Sequence, residues 1–176
     1  MFPYGMPMIE LFRTFQPQPD SLSAVKELLS AVCGIQSPVI LRTPQGKPYL
    51  DGNALFFSVA HSGALFAVAV SDRPVGLDAE RRTQKRYPAL TRRLTEEERR
   101  EDLLKLWTAK EAYVKYADST LARELPSLVY ERGALLKGGL RLPVSLNHAE
   151  REGYVYAVCS GSPLHVRFRS FDGTPL

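Results

Sequence analysis

Cysteine is almost absent from this chain of 176 residues, which has only Cys33 and Cys159. The two are far apart in the sequence, and neither stands in the close spacing typical of zinc sites or redox pairs. The fold is therefore expected to need neither a disulfide nor a structural metal. With 44% hydrophobic residues, a chain of this length can bury a core large enough for one compact unit.

Long apolar runs are missing as well, since no stretch approaches the ~20 residues that cross a membrane. Residues 1–12 are interrupted by Pro3, Gly5 and Pro7, and they lack basic residues ahead of an apolar run. They therefore do not resemble a signal peptide. Together these absences predict a cytoplasmic protein without a membrane partner.

Negative charge is the scarcer sign, with 19 acidic against 23 basic residues and a net charge of +4. A basic protein favours acidic partners, which include nucleic acid and acidic proteins. One basic cluster that suggests a nucleic-acid patch consists of Arg81, Arg82, Lys85, Arg86, Arg92 and Arg93. Few aromatic residues lie among them to stack bases, and three glutamates follow directly, so a solvated face is favoured and no nucleic-acid partner is expected.

Two segments, each a helix followed by strands, succeed one another along the chain. Asp20 precedes an apolar stripe that predicts a capped helix ending before Gly34. Thr95, with acidic residues behind it and apolar residues at helical spacing, predicts a long helix over 95–116. Alternating or apolar runs between turn residues predict strands. These strands are expected at 39–41, 55–59, 65–70, 75–78, 128–130, 134–136, 154–158 and 166–168.

This repeated order predicts an α+β fold with two similar helix-plus-antiparallel-sheet halves related by a pseudo-two-fold axis. Residues 63–71 resemble residues 153–160 when one residue is gapped, which agrees with an internal repeat, although short β-rich segments also agree by chance. On this interpretation residues 1–85 form an N-terminal lobe and residues 86–176 a C-terminal lobe, packed together as one compact unit. Only the first copy offers carboxylates, so one acidic site per chain is expected.

Two acidic residues, Asp78 and Glu80, end the predicted strand at 75–78. Because they are two residues apart on a strand, their side chains leave the same face and repel each other unless a cation lies between them. Mg²⁺ suits such a pair, since it binds one or two carboxylates together with substrate phosphates. The alternative is a strand that simply ends in solvent.

The predicted long helix carries Glu111 and Lys115 four residues apart, on one side of the helix. A carboxylate and an ammonium group at this spacing suit the binding of a metal and the stabilisation of a leaving phosphate. The alternative is an ordinary helix ion pair worth ~0.2–0.5 kcal/mol.

Four segments together resemble the 4'-phosphopantetheinyl transferases. Val75–Glu80 is similar to the family's Gly-hydrophobe-Asp-x-Glu strand end, and Trp107–Lys115 is similar to its Trp-x-x-Lys-Glu-Ala-x-x-Lys helix. Gly46–Pro48 resembles its Gly-Lys-Pro turn, and Phe57–Gly63 resembles its Ser-His-Ser loop. The first two segments match the family's pattern at every defining position, and all four occur in the family's order.

The resemblance implies that Asp78, Glu80 and Glu111 bind one Mg²⁺ against the pyrophosphate of coenzyme A. Glu111 is then also the general base that takes the proton from the attacking serine, directly or through a water. Lys115, as a catalytic residue, and Lys110 would balance charge on the phosphates and on the departing 3',5'-ADP.

By the same resemblance, Lys47 and His61 would contact the 3'-phosphate and the adenosine end of coenzyme A. Ala60 departs from the family, which usually has a serine there, so the predicted phosphate pocket loses a hydroxyl donor. The N-terminal region is also short and lacks the basic cluster of longer members. These departures bear on the affinity for the 3'-phosphate and not on the binding of the metal.

The resemblance implies transfer of 4'-phosphopantetheine from coenzyme A to a serine of an acyl or peptidyl carrier protein, an acidic partner that a basic surface would attract. The length and the internal repeat suit the monomeric, two-lobed, Sfp-type branch, whose cofactor site lies between the lobes. Two alternatives stay open, a degenerate relative that binds coenzyme A without transfer and a Mg²⁺-dependent nuclease. The helix spacing of Glu111 and Lys115 argues against the nuclease, which usually places such residues two apart on a strand.

Overall fold

The computed structural model of the chain describes residues 8–16, 18, 20–53, 55–82, 91, 94–163 and 165–176. Helices in these ranges are α1 (Ser21–Ala31), α2 (Leu103–Tyr116) and α3 (Leu121–Glu124). No helix in the same ranges is long and apolar enough to cross a membrane. The strands are β1 (Met8–Thr14), β2 (Ile40–Arg42), β3 (Pro48–Leu50), β4 (Phe56–Ser62), β5 (Leu65–Ser71), β6 (Val75–Arg81), β7 (Leu128–Glu131), β8 (Ala134–Lys137), β9 (Leu140–Arg141), β10 (Ser145–Arg151), β11 (Tyr154–Ser160) and β12 (His165–Ser170).

In the described ranges, two sheets of long strands, called the large sheets below, and two sheets of short strands make up an α+β fold, as the sequence predicts. The large sheets have the strand orders β12-β1-β5-β4 and β10-β11-β6. Strand β12 pairs with β1 in parallel and forms one edge of this sheet, so that segments from opposite ends of the described chain lie side by side. The predicted lobe boundary at 85/86 lies outside the described residues, and the pseudo-two-fold axis stays a prediction.

The core lies between the two large sheets and is continued by one helix on each outer side. Ile9 and Leu11 of β1 pack with Leu77 and Tyr156 of the second sheet. The opposite face of the first sheet packs on α1, through residues such as Leu28. The opposite face of the second sheet packs on α2. Strand alternation thus gives each large sheet two buried faces.

Helix α1 agrees with the prediction, because the carboxylate of Asp20 accepts bonds from the backbone N–H groups of Leu22 and Ser23 at its start. The predicted long helix is wrong at its beginning. Thr95 and Glu98 cap each other's backbone N–H groups around a short 3₁₀ turn, Glu98–Arg100. The chain then extends at Glu101, and α2 begins only after Asp102, whose carboxylate caps it.

Candidate active site

Strand β6 divides its side chains between the core and helix α2. Leu77 and Ala79 are buried in the core between the sheets. Asp78 and Glu80 alternate with them and therefore leave the other face of the strand, toward α2. Asp78 is buried and Glu80 is partly exposed. The two carboxylates thus lie at the junction between the second sheet and the helix.

Helix α2 approaches β6 closely because residue 76 is a glycine. A β-carbon added to Gly76 would lie 1.9 Å from the carbonyl oxygen of Ala112 and 2.5 Å from the backbone nitrogen of Tyr116. No other residue type fits this contact without moving the helix backbone. The contact brings the helix residues Glu111 and Lys115 into the electrostatic range of the β6 carboxylates.

The ammonium group of Lys115 is held by one carboxylate and two backbone carbonyls. Its Nζ atom donates to Oδ1 of Asp78 at 2.8 Å, to the carbonyl of Leu77 at 3.0 Å and to the carbonyl of Val59 at 3.3 Å. These partners belong to β4 and β6, so Lys115 connects the helix to strands of both large sheets. A positive charge is therefore fixed beside the acidic residues.

Three carboxyl groups at this junction hold their protons more strongly than usual. Burial, together with the charges of Asp78 and Glu80, raises the pKa of Glu111 to about 7, against the opposing effect of Lys115. Burial also raises the pKa of Asp78, although Lys115 lowers it. Burial and the charge of Asp78 raise the pKa of Glu80, which a hydrogen bond from Ser62 lowers. The protonated forms of these groups are therefore favoured, mainly because burial disfavours the charged forms.

One oxygen atom of these three carboxyl groups can accept a further bond, which suits a cation. Oδ2 of Asp78 is buried and has no hydrogen-bond partner. A buried acceptor without a partner is costly and is often explained by an ion. In the described ranges no three acidic, histidine or cysteine side chains already converge as a metal-binding group. Mg²⁺ does not need such a cage, because it keeps several waters and uses one or two carboxylates with substrate phosphates.

A cavity of about 260 Å³ opens beside Lys115 and contains the Gly46–Pro48 turn on its wall. Lys47 lines it, and its Nζ atom donates to the carbonyl of Val75 at 3.3 Å. Burial lowers the pKa of Lys47. The structure thus brings Lys47 and Lys115 to one cavity.

His61 lies on the face of β4 opposite to Ser62, where its Nε2 atom is 3.1 Å from the hydroxyl of Ser21. Burial and then the charge of Lys115 lower the pKa of His61, so its ring is within electrostatic range of that ammonium group. Ala60 is 1% exposed and belongs to the core between the sheets. The methyl group of Ala60 therefore faces the protein interior, and its effect on phosphate binding stays a prediction.

Lys110 is not brought together with the other predicted residues. It is buried, and its ammonium group pairs with Oε1 of Glu98 at 2.5 Å. Glu98 also accepts a bond from the backbone nitrogen of Tyr130 at 2.9 Å. A contact between Lys110 and a phosphate would require this buried ion pair to break.

Two residues that received no role from the sequence contact Glu80. The hydroxyl of Ser62 donates to Oε2 of Glu80 at 2.8 Å, and the side chain of Trp107 lies close enough to lower the pKa of Glu80. Both lie inside the motif segments, which was the available signal. Of the basic cluster, Arg81 is exposed and Arg82 pairs with Glu150, while the other four residues lie outside the described ranges.

Comparison with known proteins finds relatives over the segments that carry these residues. A sequence model of the 4'-phosphopantetheinyl transferase superfamily matches residues 74–159, which include β6, α2 and β11. A curated protein from Aneurinibacillus migulanus, 4'-phosphopantetheinyl transferase gsp, is 25% identical over 154 residues. The match covers 77% of this chain and 65% of that relative, so the chain spans somewhat less than two thirds of its length. Over residues 74–159 the chain is therefore similar to the 4'-phosphopantetheinyl transferase superfamily.

Proposed function

We propose that this protein transfers the 4'-phosphopantetheine group of coenzyme A to a serine of an acyl or peptidyl carrier protein, in a reaction that depends on Mg²⁺. One observation carries the proposal. Three carboxyl groups with raised pKa values lie around the ammonium group of Lys115, which is bonded to Asp78, in a segment that is similar to this superfamily. Carboxyl groups whose pKa values are perturbed by burial and by a specific charged neighbour are typical of catalytic sites.

Asp78, Glu80 and Glu111 would hold the metal in this proposal. The unpartnered Oδ2 atom of Asp78 supports a cation at this point. Burial raises the pKa values of all three carboxyl groups, and repulsion adds to it at Glu80 and Glu111, so a bound cation would stabilise their charged forms. Bound Mg²⁺ would supply charge neutralisation for the pyrophosphate of coenzyme A.

The proposed transfer forms one bond and breaks one. The serine oxygen of the carrier forms a bond to the phosphorus that bears pantetheine, and the bond from that phosphorus to the bridging oxygen breaks, so that 3',5'-ADP leaves. Glu111 takes the serine proton, directly or through a water. In the metal-free chain the pKa of Glu111 is raised to about 7, and bound Mg²⁺ would lower it, so that Glu111 would be ionised and able to accept a proton near neutral pH.

The basic residues would bind the phosphate-rich substrate. Lys115 would stabilise negative charge on the transferred and departing phosphates, and its place on the wall of the cavity with Lys47 supports a site there for coenzyme A. His61 would contact the adenosine end or the 3'-phosphate. The ion pair with Glu98 leaves Lys110 a weaker candidate for direct contact.

The carrier protein would be an acidic partner, attracted by the net positive charge of the chain. A monomer of the two-lobed, Sfp-type branch is the proposed form. Its position within the cell is proposed to be cytoplasmic.

The experiment is intact-protein mass spectrometry of an apo carrier protein incubated with this protein, coenzyme A and Mg²⁺. The expected result is a mass gain of one phosphopantetheinyl unit, which disappears with EDTA and with the Glu111→Gln variant. Binding of coenzyme A without any mass gain, across several unrelated carriers, would favour a degenerate relative. Full transfer by Glu111→Gln would overturn the assigned base.

A further inference from the structure

Two serines connect the two large sheets by hydrogen bonds to the backbone of a strand that is not paired with their own. Strands β4 and β6 belong to different sheets but lie side by side. Ser58 and Ser62 are four residues apart on β4, so both side chains leave the same face, toward β6. The hydroxyl of Ser58 accepts a bond from the backbone nitrogen of Leu77 at 2.9 Å, and that of Ser62 accepts one from Arg81, also at 2.9 Å.

Ser62 makes a second bond that distinguishes it from Ser58. Its hydroxyl donates to Oε2 of Glu80 at 2.8 Å. A hydroxyl has a single proton, and because Oγ of Ser62 accepts from the nitrogen of Arg81, that proton is available for Glu80. Within the described ranges, the bond to a carboxylate is found at Ser62 and not at Ser58.

Glu80 lies between strand β4 and helix α2. Ser62 of β4 donates a hydrogen bond to it, and Trp107, in the second turn of α2, lies close enough to lower its pKa. A carboxylate has about four lone-pair positions, so the bond from Ser62 orients Glu80 and leaves it able to bind a cation.

We propose that Ser62 is a positioning residue, which fixes the carboxylate of Glu80 in the orientation that binds Mg²⁺. This inference rests on the proposed function, since that proposal supplies the metal. Carboxylates that bind metals are themselves usually hydrogen-bonded, and loss of such a partner typically weakens metal affinity by about 10- to 100-fold. Ser62→Ala should therefore weaken metal binding by about that factor.

The test measures the dissociation constant of Mn²⁺, a paramagnetic substitute for Mg²⁺, by the electron paramagnetic resonance signal of the free ion. Wild type, Ser62→Ala, Ser62→Thr and Ser58→Ala are compared, each with and without coenzyme A. We expect Ser62→Ala to bind Mn²⁺ about 10- to 100-fold more weakly. Ser62→Thr, which keeps the hydroxyl, should restore the affinity.

Ser58→Ala is the matched control, because it removes the same kind of bond to β6 without touching a carboxylate. It should lower the melting temperature and leave the dissociation constant of Mn²⁺ unchanged. Wild-type affinity in Ser62→Ala, or an equal loss in Ser58→Ala, would overturn the positioning role. If Ser62→Ala does not fold, Ser62→Cys replaces it, and its weaker donor should give an intermediate affinity.

Failure of the proposed function would look different. If the wild-type protein itself does not bind Mn²⁺, with or without coenzyme A, then the proposed metal site is wrong and the role of Ser62 is wrong with it. If the wild type binds Mn²⁺ and Ser62→Ala binds it equally well, only the inference about Ser62 is overturned.

Discussion

The guanidinium group of Arg82 donates to the carboxylate of Asp102 at 3.0 Å. Arg82 directly follows β6, and Asp102 caps the first turn of α2. The same guanidinium group donates to Glu150 on β10 at 2.6 Å. One side chain thus connects the end of the strand that carries Asp78 and Glu80 to the start of the helix that carries Glu111.

We expect Arg82→Gln to lower the free energy of unfolding by only about 1 kcal/mol, because exposed ion pairs contribute little. The side chains of Arg82 and Asp102 are 38% and 34% exposed. Urea denaturation at low and high salt checks this, and the loss should shrink at high salt. Arg99→Gln, whose partner Glu96 is 84% exposed, is the control and should change nothing. A large loss that salt does not affect would contradict the prediction.

Gly76→Ala should strongly destabilise the protein. The added methyl group would meet the backbone of α2 at 1.9 Å, and overpacked sites cost about 1–3 kcal/mol or more. Gly161→Ala is a matched control, since its methyl group would meet only the hydroxyl of Tyr116, at 2.9 Å. A side-chain end can move where a helix backbone cannot, so Gly161→Ala should cost less. Equal losses in chemical denaturation would show that α2 is not fixed by Gly76.

Because Lys110 and Glu98 form a buried ion pair, replacing Lys110 alone should destabilise the protein more than replacing both residues. Lys110→Met leaves the carboxylate of Glu98 buried without its cation, which should cost about 3–5 kcal/mol. The double variant with Glu98→Gln removes that charge and should recover part of the loss, which a double-mutant cycle measures. Lys137→Met serves as the control, because Lys137 is 40% exposed where it pairs with Glu124, and should cost less.

The affinity for coenzyme A separates this structural role from direct contact. In a double variant that folds, the dissociation constant of coenzyme A should stay close to that of wild type if Lys110 acts through Glu98. A strong loss of affinity in the folded double variant would instead restore Lys110 as a cofactor contact.

Local patterns in the sequence predicted the parts of the fold that depend on neighbouring residues. The cap of α1 and the alternation of β6 are such patterns, and both appear in the structure. Strand β1 (Met8–Thr14) was missed because the proline and glycine residues that precede it obscured a short run of apolar residues. Strand β10 was missed because it is a partly exposed edge strand whose residues are mostly polar.

The same division applies to the candidate site. Glu111 and Lys115 share a helix side because they are four residues apart, and this spacing was visible in the sequence. The partner of Lys110 was not visible, because Glu98 was assigned to the same long helix and instead precedes a break at Glu101. A contact that depends on where a helix begins requires the tertiary structure.

The raised pKa of Glu111 predicts how stability depends on pH. The ordinary pKa of a glutamate is 4.5, and the folded chain raises that of Glu111 to about 7. The fold therefore favours the protonated form, so that its contribution to stability is present below the ordinary pKa and is lost as the pH rises to about 7. The raised pKa values of Asp78 and Glu80 act with the same sign.

Glu111→Gln should consequently stabilise the metal-free protein at high pH but not at low pH. The difference in melting temperature between variant and wild type should grow from about pH 5 to about pH 8 in EDTA, because only the wild type must hold a charged carboxylate there. Excess Mg²⁺ should stabilise the wild type and reduce the difference, since a bound cation relieves the repulsion. Glu96→Gln, at an exposed position, is the control and should show no such trend. A difference that does not vary with pH would show that Glu111 ionises normally in the folded, metal-free protein.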